Sequence, residues 1–291
     1  MAFSEQNFFN WILLAIATIA VLVNSLLLYT ARRLRHDHAE INYAVLLASV
    51  DMALAILIIG TSLANSLYYT SNFDMFCKFK GPIDFLLLYV SLELVAVIAM
   101  ARYYKVRGTG IPRRVWGVLC SCTSVYSVLL IIAGLQEEFS TSLSGCDCTP
   151  NVEYPISAVV LFSLGFSIFV SLFVTLFYYL RILGFIDKAC DGKAHSCSGS
   201  RSKVITRVFS ICLIYLFLNV PTSLLIMLEA SRKTNGSQFL NLVISILISL
   251  NVIANPALIL FAHSLIFDQL VSPFSTKLDP HTSLRFSSQF S

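Results

Sequence analysis

The chain has 291 residues, of which 57% are hydrophobic and only 12% are charged, and its formal net charge is +4. A soluble domain of this size would have far too little polar surface to cover itself, so the composition excludes one. The mean hydropathy of +0.78 predicts instead an all-α integral membrane protein that lies in the lipid bilayer.

Seven stretches of the chain are apolar and long enough to cross a bilayer as helices, each of which needs about 20 residues. Almost nothing is left for a soluble domain, so we expect one seven-helix bundle in residues 1–271 and a cytosolic tail in residues 272–291. The first stretch follows Glu5 rather than basic residues and is too long for the core of a signal peptide, so we interpret it as a retained helix. The predicted spans are 10–31, 41–67, 77–104, 114–135, 154–184, 203–229 and 238–262.

The distribution of Lys and Arg predicts the orientation of the bundle. With the N-terminus outside, 16 of the 20 basic residues fall in the inner loops and the tail, and the outer loops hold only Lys78, Lys80, Arg232 and Lys233. The glycosylation sequon that begins at Asn235 then lies in the last outer loop. The positive charge belongs to the inner loops, which indicates contact with anionic lipid and no nucleic-acid partner.

The third span places four informative residues on one helical face. At about 100° per residue, the positions of Cys77, Asp84, Ser91 and Arg102 lie within roughly 40° of one another. The distance from Cys77 to Arg102 along a helix is about 37 Å, close to the thickness of a bilayer with its headgroups. A cysteine therefore lies at the outer surface and an arginine at the inner surface, with an aspartate and a serine between them.

Polar residues and prolines interrupt other spans. Asp51 lies in the middle of the second span, where an ionisable group is costly and needs a partner. Pro221 and Pro256 predict kinks in the sixth and seventh helices. After Ala262, the sequence HSLIFDQLV predicts a short amphipathic helix along the inner surface of the membrane.

The order and spacing of several residues resemble the rhodopsin-like family of G-protein-coupled receptors. These residues are Asn24, Asp51 at the end of LASVD, Cys77, Ala101-Arg102-Tyr103, Pro221 and Asn255-Pro256. The resemblance extends over most of the chain. It implies a multi-pass receptor of the plasma membrane that binds a small extracellular ligand in the outer half of its bundle and signals to a heterotrimeric G protein.

The resemblance also assigns roles to the two ends of the third span. At the outer end it implies a disulfide from Cys77 to the second outer loop, which offers Cys146 and Cys148. At the inner end it implies that Arg102 and Tyr103 contact the G protein, together with the inner ends of helices 5 and 6. The Ser and Thr residues of the tail are candidates for phosphorylation and for an arrestin-like partner, although such composition is equally typical of a solvated tail.

The sequence departs from the pattern of this family at several positions. Ala101 stands in place of the usual acid beside Arg102, Asn219 in place of the usual tryptophan, and Ile259 in place of the usual tyrosine. Because Ala101 cannot form an ion pair with Arg102, we expect a weakly held resting state and elevated signalling without ligand.

In this family, the positions of Asp51, Ser91, Asn251 and Asn255 surround a sodium ion, and Asn24 belongs to the polar network around it. One carboxylate with hydroxyl and amide oxygens suits a hard cation. The alternative is a hydrogen-bond network around a neutral Asp51, because a lone buried carboxylate tends to lose its charge. No other cofactor is required.

By the same resemblance, the ligand pocket is polar. Asp84 occupies the position that binds the amine in aminergic receptors, and the polar pairs on helices 6 and 7 are each spaced i, i+4, so that each pair shares one face. The alternative is local, because Lys80 lies one turn before Asp84 and would neutralise it. The predicted pocket residues are Asp84, Leu88, Tyr89, Asn219, Ser223, Ser245 and Ser249.

Other classes of function fit the sequence less well. A covalently bound retinal needs a lysine in helix 7, where the matching position is Ser249. A zinc hydrolase needs clustered histidines and carboxylates, and the spans have no central histidine, so we do not expect an enzyme. Glu93 lies away from the face of Cys77 and is interpreted as a structural group. The stronger alternative to a receptor is a transporter or proton pathway that uses Asp51 and Asp84.

Overall fold

Seven long helices and a short β-hairpin make up the part of the chain described by this computed structural model, which comprises residues 3–34, 39–67, 73–136, 139–141, 148–190, 198–231 and 238–262. In chain order the elements are α1 (Phe3–Leu34), α2 (Ala39–Leu67), α3 (Phe73–Val106), α4 (Arg113–Leu135), β1 (Phe139–Thr141), β2 (Cys148–Pro150), α5 (Pro155–Cys190), α6 (Ser198–Ala230) and α7 (Gln238–Ala262).

Every one of these helices contains a stretch that is apolar and long enough to cross a membrane. The seven stretches overlap the seven predicted spans, which confirms the all-α, seven-transmembrane bundle. Large apolar side chains also cover its outer surface, and Phe162, Phe166 and Phe173 of α5 are all exposed. Such a surface is stable only where lipid covers it, because lipid tails are as apolar as the side chains.

Several helices are longer than the predicted spans. Helix α3 begins at Phe73 rather than at residue 77, and α5 continues to Cys190 rather than ending at residue 184. Hydropathy locates only the part of a helix that lies in hydrocarbon, whereas the backbone hydrogen bonds continue beyond it. The predicted amphipathic helix after Ala262 and the tail lie outside the described residues.

Helix α3 lies at the centre of the bundle, where it packs against α2, α4, α5 and both strands. All six residues from Ala96 to Ala101 are buried. A helical segment that is apolar all round, as this one is, is expected in such a position. Ser171 of α5 donates a hydrogen bond of 2.7 Å to the carbonyl oxygen of Leu92, which ties the two helices together in mid-bundle.

The two strands form an antiparallel pair, with Phe139 opposite Pro150 and Thr141 opposite Cys148. A disulfide joins Cys148 to Cys77 near the start of α3. Of the two partners that the resemblance left open for Cys77, the structure therefore has Cys148, while Cys146 lies outside the described residues. We call this end of the bundle the disulfide end, and the opposite end the arginine end.

The hairpin closes over the disulfide end of the bundle. Phe139 of β1 is only 1% exposed and makes an edge-to-face contact with Phe85 at 5.8 Å between ring centroids. Gly81 of α3 makes room for this ring, because a Cβ atom there would overlap it. The two strands, including Cys148, are thus packed against α3 rather than standing away from it.

Candidate functional site

A buried polar cluster joins three helices in the middle of the bundle. Ser91 of α3 donates a hydrogen bond of 2.5 Å to Oδ1 of Asp51 on α2. The amide nitrogen of Asn255 on α7 lies 3.2 Å from Oδ2 of Asp51 and 3.1 Å from the Ser91 hydroxyl. Asp51 is completely buried, and these donors provide the partners that a carboxyl group in the membrane requires.

Two further buried asparagines belong to α1 and to α7, the helix that carries Asn255. Asn24 of α1 donates to the carbonyl oxygen of Val252 at 3.3 Å and to that of Ala20 at 2.9 Å, which links α1 to α7. Asn251 is buried, and its side-chain oxygen has no hydrogen-bond partner among the described residues. An unpaired buried oxygen is a potential ligand for a cation or a water molecule.

The donor set at Asp51 only partly suits a sodium ion. Asp51 and Ser91 supply oxygens, as a hard cation requires, but Asn255 directs its amide nitrogen at the carboxylate. Within the described part of the chain, no group of three or more His, Cys, Asp and Glu side chains lies close enough to hold a metal ion. The observed contacts are those of a hydrogen-bond network, and sodium binding stays a prediction.

A small cavity lies between α1, α2, α3 and α7 at the disulfide end, with a volume of about 40 Å³. Four of the residues predicted for a ligand pocket line it, namely Asp84, Leu88, Ser245 and Ser249. The rest of its wall is largely apolar and includes Leu13, Leu54, Ile58, Phe85 and Ile248, with Thr61 and Cys148. Pockets for drug-sized ligands measure about 300–1,000 Å³, so this cavity accommodates only a few water molecules in the observed conformation.

The carboxylate at this cavity forms an ion pair within its own helix. The ammonium group of Lys80 contacts Oδ2 of Asp84, one turn further along α3, and both side chains are buried. The structure therefore contains the ion pair with Lys80 that was the alternative to ligand binding by Asp84. A ligand at Asp84 would have to compete with Lys80 or bind to the pair as a whole.

The other three predicted pocket residues do not line this cavity. Tyr89 stacks on Tyr126 of α4, with ring centroids 4.2 Å apart. Asn219 donates to the carbonyl oxygen of Tyr215 at 3.0 Å. The hydroxyl of Ser223 donates to the carbonyl oxygen of Gly165 at 2.7 Å and thereby joins α6 to α5. These contacts, which lie within α6 for Asn219 and between helices for Tyr89 and Ser223, engage the side chains, and a role for them in ligand binding stays a prediction.

At the arginine end, Tyr179 joins α5 to α3, although the sequence did not indicate it as a site residue. Nη1 of Arg102 donates a hydrogen bond of 2.8 Å to the hydroxyl of Tyr179. Tyr103 lies beside Tyr104 and Tyr178, at 5.4 Å and 5.3 Å between ring centroids. The signal in the sequence was the pair Tyr178-Tyr179 near the inner end of α5, but nothing in it indicated that Tyr179 faces Arg102.

Glu93 makes contact with the neighbouring helix α4. The hydroxyl of Thr123 donates to its carboxyl group at 2.5 Å. The interpretation of Glu93 as a structural group agrees with this position between two helices, away from the cavity that Asp84 lines.

The comparisons with known proteins agree with these observations. The family model described as 7 transmembrane receptor (rhodopsin family) matches residues 22–258, which is well over half of the chain. A search of curated protein sequences finds no protein that matches this chain. The matched region contains Asp51, Cys77, Arg102 and Asn255, on which the resemblance depended. The chain is therefore a multi-pass membrane protein that belongs to the rhodopsin family of seven-transmembrane receptors.

Proposed function

We propose that the protein is a receptor of the plasma membrane that binds a small polar ligand at its disulfide end and activates a heterotrimeric G protein at its arginine end. The observation that carries this proposal is the placement of three contacts along α3. Asp84 borders the cavity, Ser91 bonds to Asp51 and Asn255 in mid-bundle, and Arg102 bonds to Tyr179. A shift of α3 would alter all three.

The proposed ligand is small and polar because of the groups that border the cavity. Asp84 and the hydroxyl residues Ser245 and Ser249 line the cavity together with apolar side chains. The volume of about 40 Å³ means that ligand binding requires expansion of the cavity. A cationic group on the ligand would replace the ammonium of Lys80 at the Asp84 carboxylate.

The proposed contact with the G protein involves Arg102 and Tyr103 together with the inner ends of α5 and α6. Arg107 and Arg181 add positive charge at this end of the bundle, and Arg107 lies 5.6 Å from the centre of the Tyr103 ring. A surface of arginines and tyrosines suits a protein partner, since both residue types are enriched at interfaces. An arrestin-like protein is a further proposed partner of the tail.

Nucleotide exchange on purified G proteins tests this proposal. The full-length receptor, reconstituted in lipid, is expected to accelerate exchange, first without ligand and further when a library of small polar compounds is screened. Arg102→Ala should abolish both effects, and Asp84→Asn should reduce only the response to ligand. Arg113→Ala is the matched control, because it removes an exposed positive charge at the start of α4, outside the proposed contact and away from the Arg102–Tyr179 pair.

The transporter alternative makes the opposite prediction in the same preparation. Uptake of ions or solutes into these proteoliposomes, lost in Asp51→Asn and Asp84→Asn and accompanied by no exchange on any G protein, would contradict the receptor proposal.

A further inference from the structure

A second cavity lies at the arginine end of the bundle, with a volume of about 20 Å³. One water molecule needs a cavity of about 10–15 Å³, so this space is large enough for one. Polar side chains from four helices line it, namely Arg102 of α3, Thr175 and Tyr179 of α5, Tyr215 of α6 and Asn255 of α7. The cavity therefore lies between the Arg102–Tyr179 pair and the cluster around Asp51.

Two hydroxyl groups at this cavity lack a direct partner in the described part of the chain. They belong to Tyr215 and Thr175, each only 2% exposed. A buried hydroxyl without a hydrogen bond is costly, and native proteins almost always satisfy it with protein or ordered water. Both hydroxyls are on the wall of one cavity of suitable size, so the same water molecule can satisfy them.

The Arg102–Tyr179 pair supplies the additional partners that such a water molecule needs. A buried water typically makes two to four hydrogen bonds. The guanidinium of Arg102 has five N–H donors, of which Nη1 uses one at Tyr179, and the Tyr179 hydroxyl still has its own proton to donate. Apolar side chains enclose the rest of the cavity, among them Ile211, Leu258 and Ile259.

We propose that this cavity is a buried water site and that Tyr215 positions Arg102 through it. Tyr215 hydrogen-bonds to the water, the water hydrogen-bonds to the Arg102–Tyr179 pair, and α6 is thereby held against α3 and α5. The effect of this link on signalling rests on the proposed function, whereas the water site itself does not.

The variant Tyr215→Phe tests the water site, because it removes only the hydroxyl. Tyr126→Phe is a matched control. The Tyr126 hydroxyl is also buried and has no hydrogen-bond partner among the described residues. Tyr126 lies on α4, however, and does not line this cavity. Tyr215→Phe should lower the Tm of the purified receptor by about 2–4 °C, the loss expected for one net hydrogen bond. Tyr126→Phe should leave the Tm unchanged or raise it. Equal changes in the two variants would overturn the water site.

A double-mutant cycle tests the link to Arg102. If one water joins Tyr215 to Tyr179, then Tyr215→Phe should lose most of its effect on Tm in a Tyr179→Phe background. Thr175→Val, which keeps the shape of the side chain, should show the same dependence on Tyr215. Additive effects in both cycles would overturn the shared water.

Exchange without ligand tests the positioning role separately. Tyr215→Phe should raise the rate of nucleotide exchange about fivefold, the factor that corresponds to one net hydrogen bond. This increase should disappear in the Tyr179→Phe background, which a purely structural effect of Tyr215 would not cause. An unchanged rate in Tyr215→Phe would contradict the positioning role. If the wild-type receptor drives no exchange on any G protein, the proposed function fails, while the Tm cycles still decide the water site.

Discussion

Arg102 of α3 and Tyr179 of α5 are joined by a hydrogen bond of 2.8 Å across the inner part of the bundle. Ala101, the neighbour of Arg102, is buried and has no polar group. The arginine is therefore held by a neutral hydroxyl on another helix instead of by an adjacent carboxylate. An arginine–carboxylate pair can form two parallel charge-assisted hydrogen bonds, so we expect the single bond to Tyr179 to be a modest hold on Arg102.

The first prediction concerns this modest hold. Ala101→Glu should lower ligand-free nucleotide exchange about fivefold or more, because a carboxylate beside Arg102 adds a charge-assisted partner in the closed conformation. The measurement is the rate of exchange at matched receptor density. Ala101→Gln is the control, since it has the same size without the charge and should have a much smaller effect. Equal rates in the two variants would contradict an ion-pair mechanism.

The second prediction concerns the cluster around Asp51. Ser91→Ala should lower the free energy of unfolding by about 1–3 kcal/mol, because it leaves a buried carboxyl oxygen without its donor. The corresponding fall in Tm, measured in detergent, is about 2–8 °C. Ser49→Ala is the matched control on the same pair of helices, because the exposed Ser49 hydroxyl donates only to the Val45 carbonyl of its own helix. We expect no measurable change from it.

The third prediction concerns sodium at the same cluster. If Asp51 and Ser91 bind the ion, sodium chloride should raise the Tm of the wild-type receptor more than choline chloride at equal concentration, since a ligand of the folded state stabilises it. Asp51→Asn should abolish the difference because it removes the charge that attracts the cation. A sodium-specific shift in Tm that persists in Asp51→Asn would mean that the ion binds elsewhere. If the wild-type receptor shows no such shift, the hydrogen-bond network alone explains the buried Asp51.

The extent to which these features could be predicted depends on how local they are. The seven spans follow from hydropathy alone, and the Lys80–Asp84 contact follows from their i, i+4 spacing on one helix. Only the resemblance to a family predicts that Ser91 and Asn255 approach Asp51. Helical periodicity shows which residues lie on the same face of one helix, but it does not show which neighbouring helix that face contacts.

The contacts that the sequence reasoning missed are those between helices. Tyr179 meets Arg102 because of the rotation of α5 about its axis, and the close approach at Gly165 depends on how α5 crosses α6. The long apolar stretch of α5 provides no periodicity that would define one inner face, since its lipid-facing side is as apolar as its packed side. In a soluble helix, the polar face would have provided that information.

The fourth prediction concerns the ion pair at the disulfide end. Lys80→Met should lower the free energy of unfolding by about 3–5 kcal/mol, because it removes the buried ammonium group that contacts the Asp84 carboxylate. The double variant Lys80→Met/Asp84→Leu should recover much of this loss, as replacement of both charges by apolar groups often does. Thermal unfolding in detergent measures both variants. Arg113→Met, which removes an exposed cation at the start of α4, is the control and should cost far less.

The fifth prediction concerns the crossing of α5 and α6. A Cβ atom at Gly165 would lie 2.6 Å from Cγ of Met227 and 3.2 Å from the carbonyl oxygen of Ser223, so Gly165→Ala should push the two helices apart. The expected loss is about 1–3 kcal/mol in the free energy of unfolding, measured as a lower Tm. Gly184→Ala is the control on the same helix, because no atom lies within 4 Å of the added Cβ and alanine favours the helix.

The two substitutions should therefore act in opposite directions. Gly184→Ala should leave the Tm unchanged or raise it slightly, whereas Gly165→Ala should lower it and should also weaken the Ser223 hydrogen bond to the Gly165 carbonyl. Met227→Ala, combined with Gly165→Ala, should recover part of the loss, because it removes the flexible side chain that the new Cβ meets first. If Gly165→Ala is as well tolerated as Gly184→Ala, the helices do not cross as closely as described.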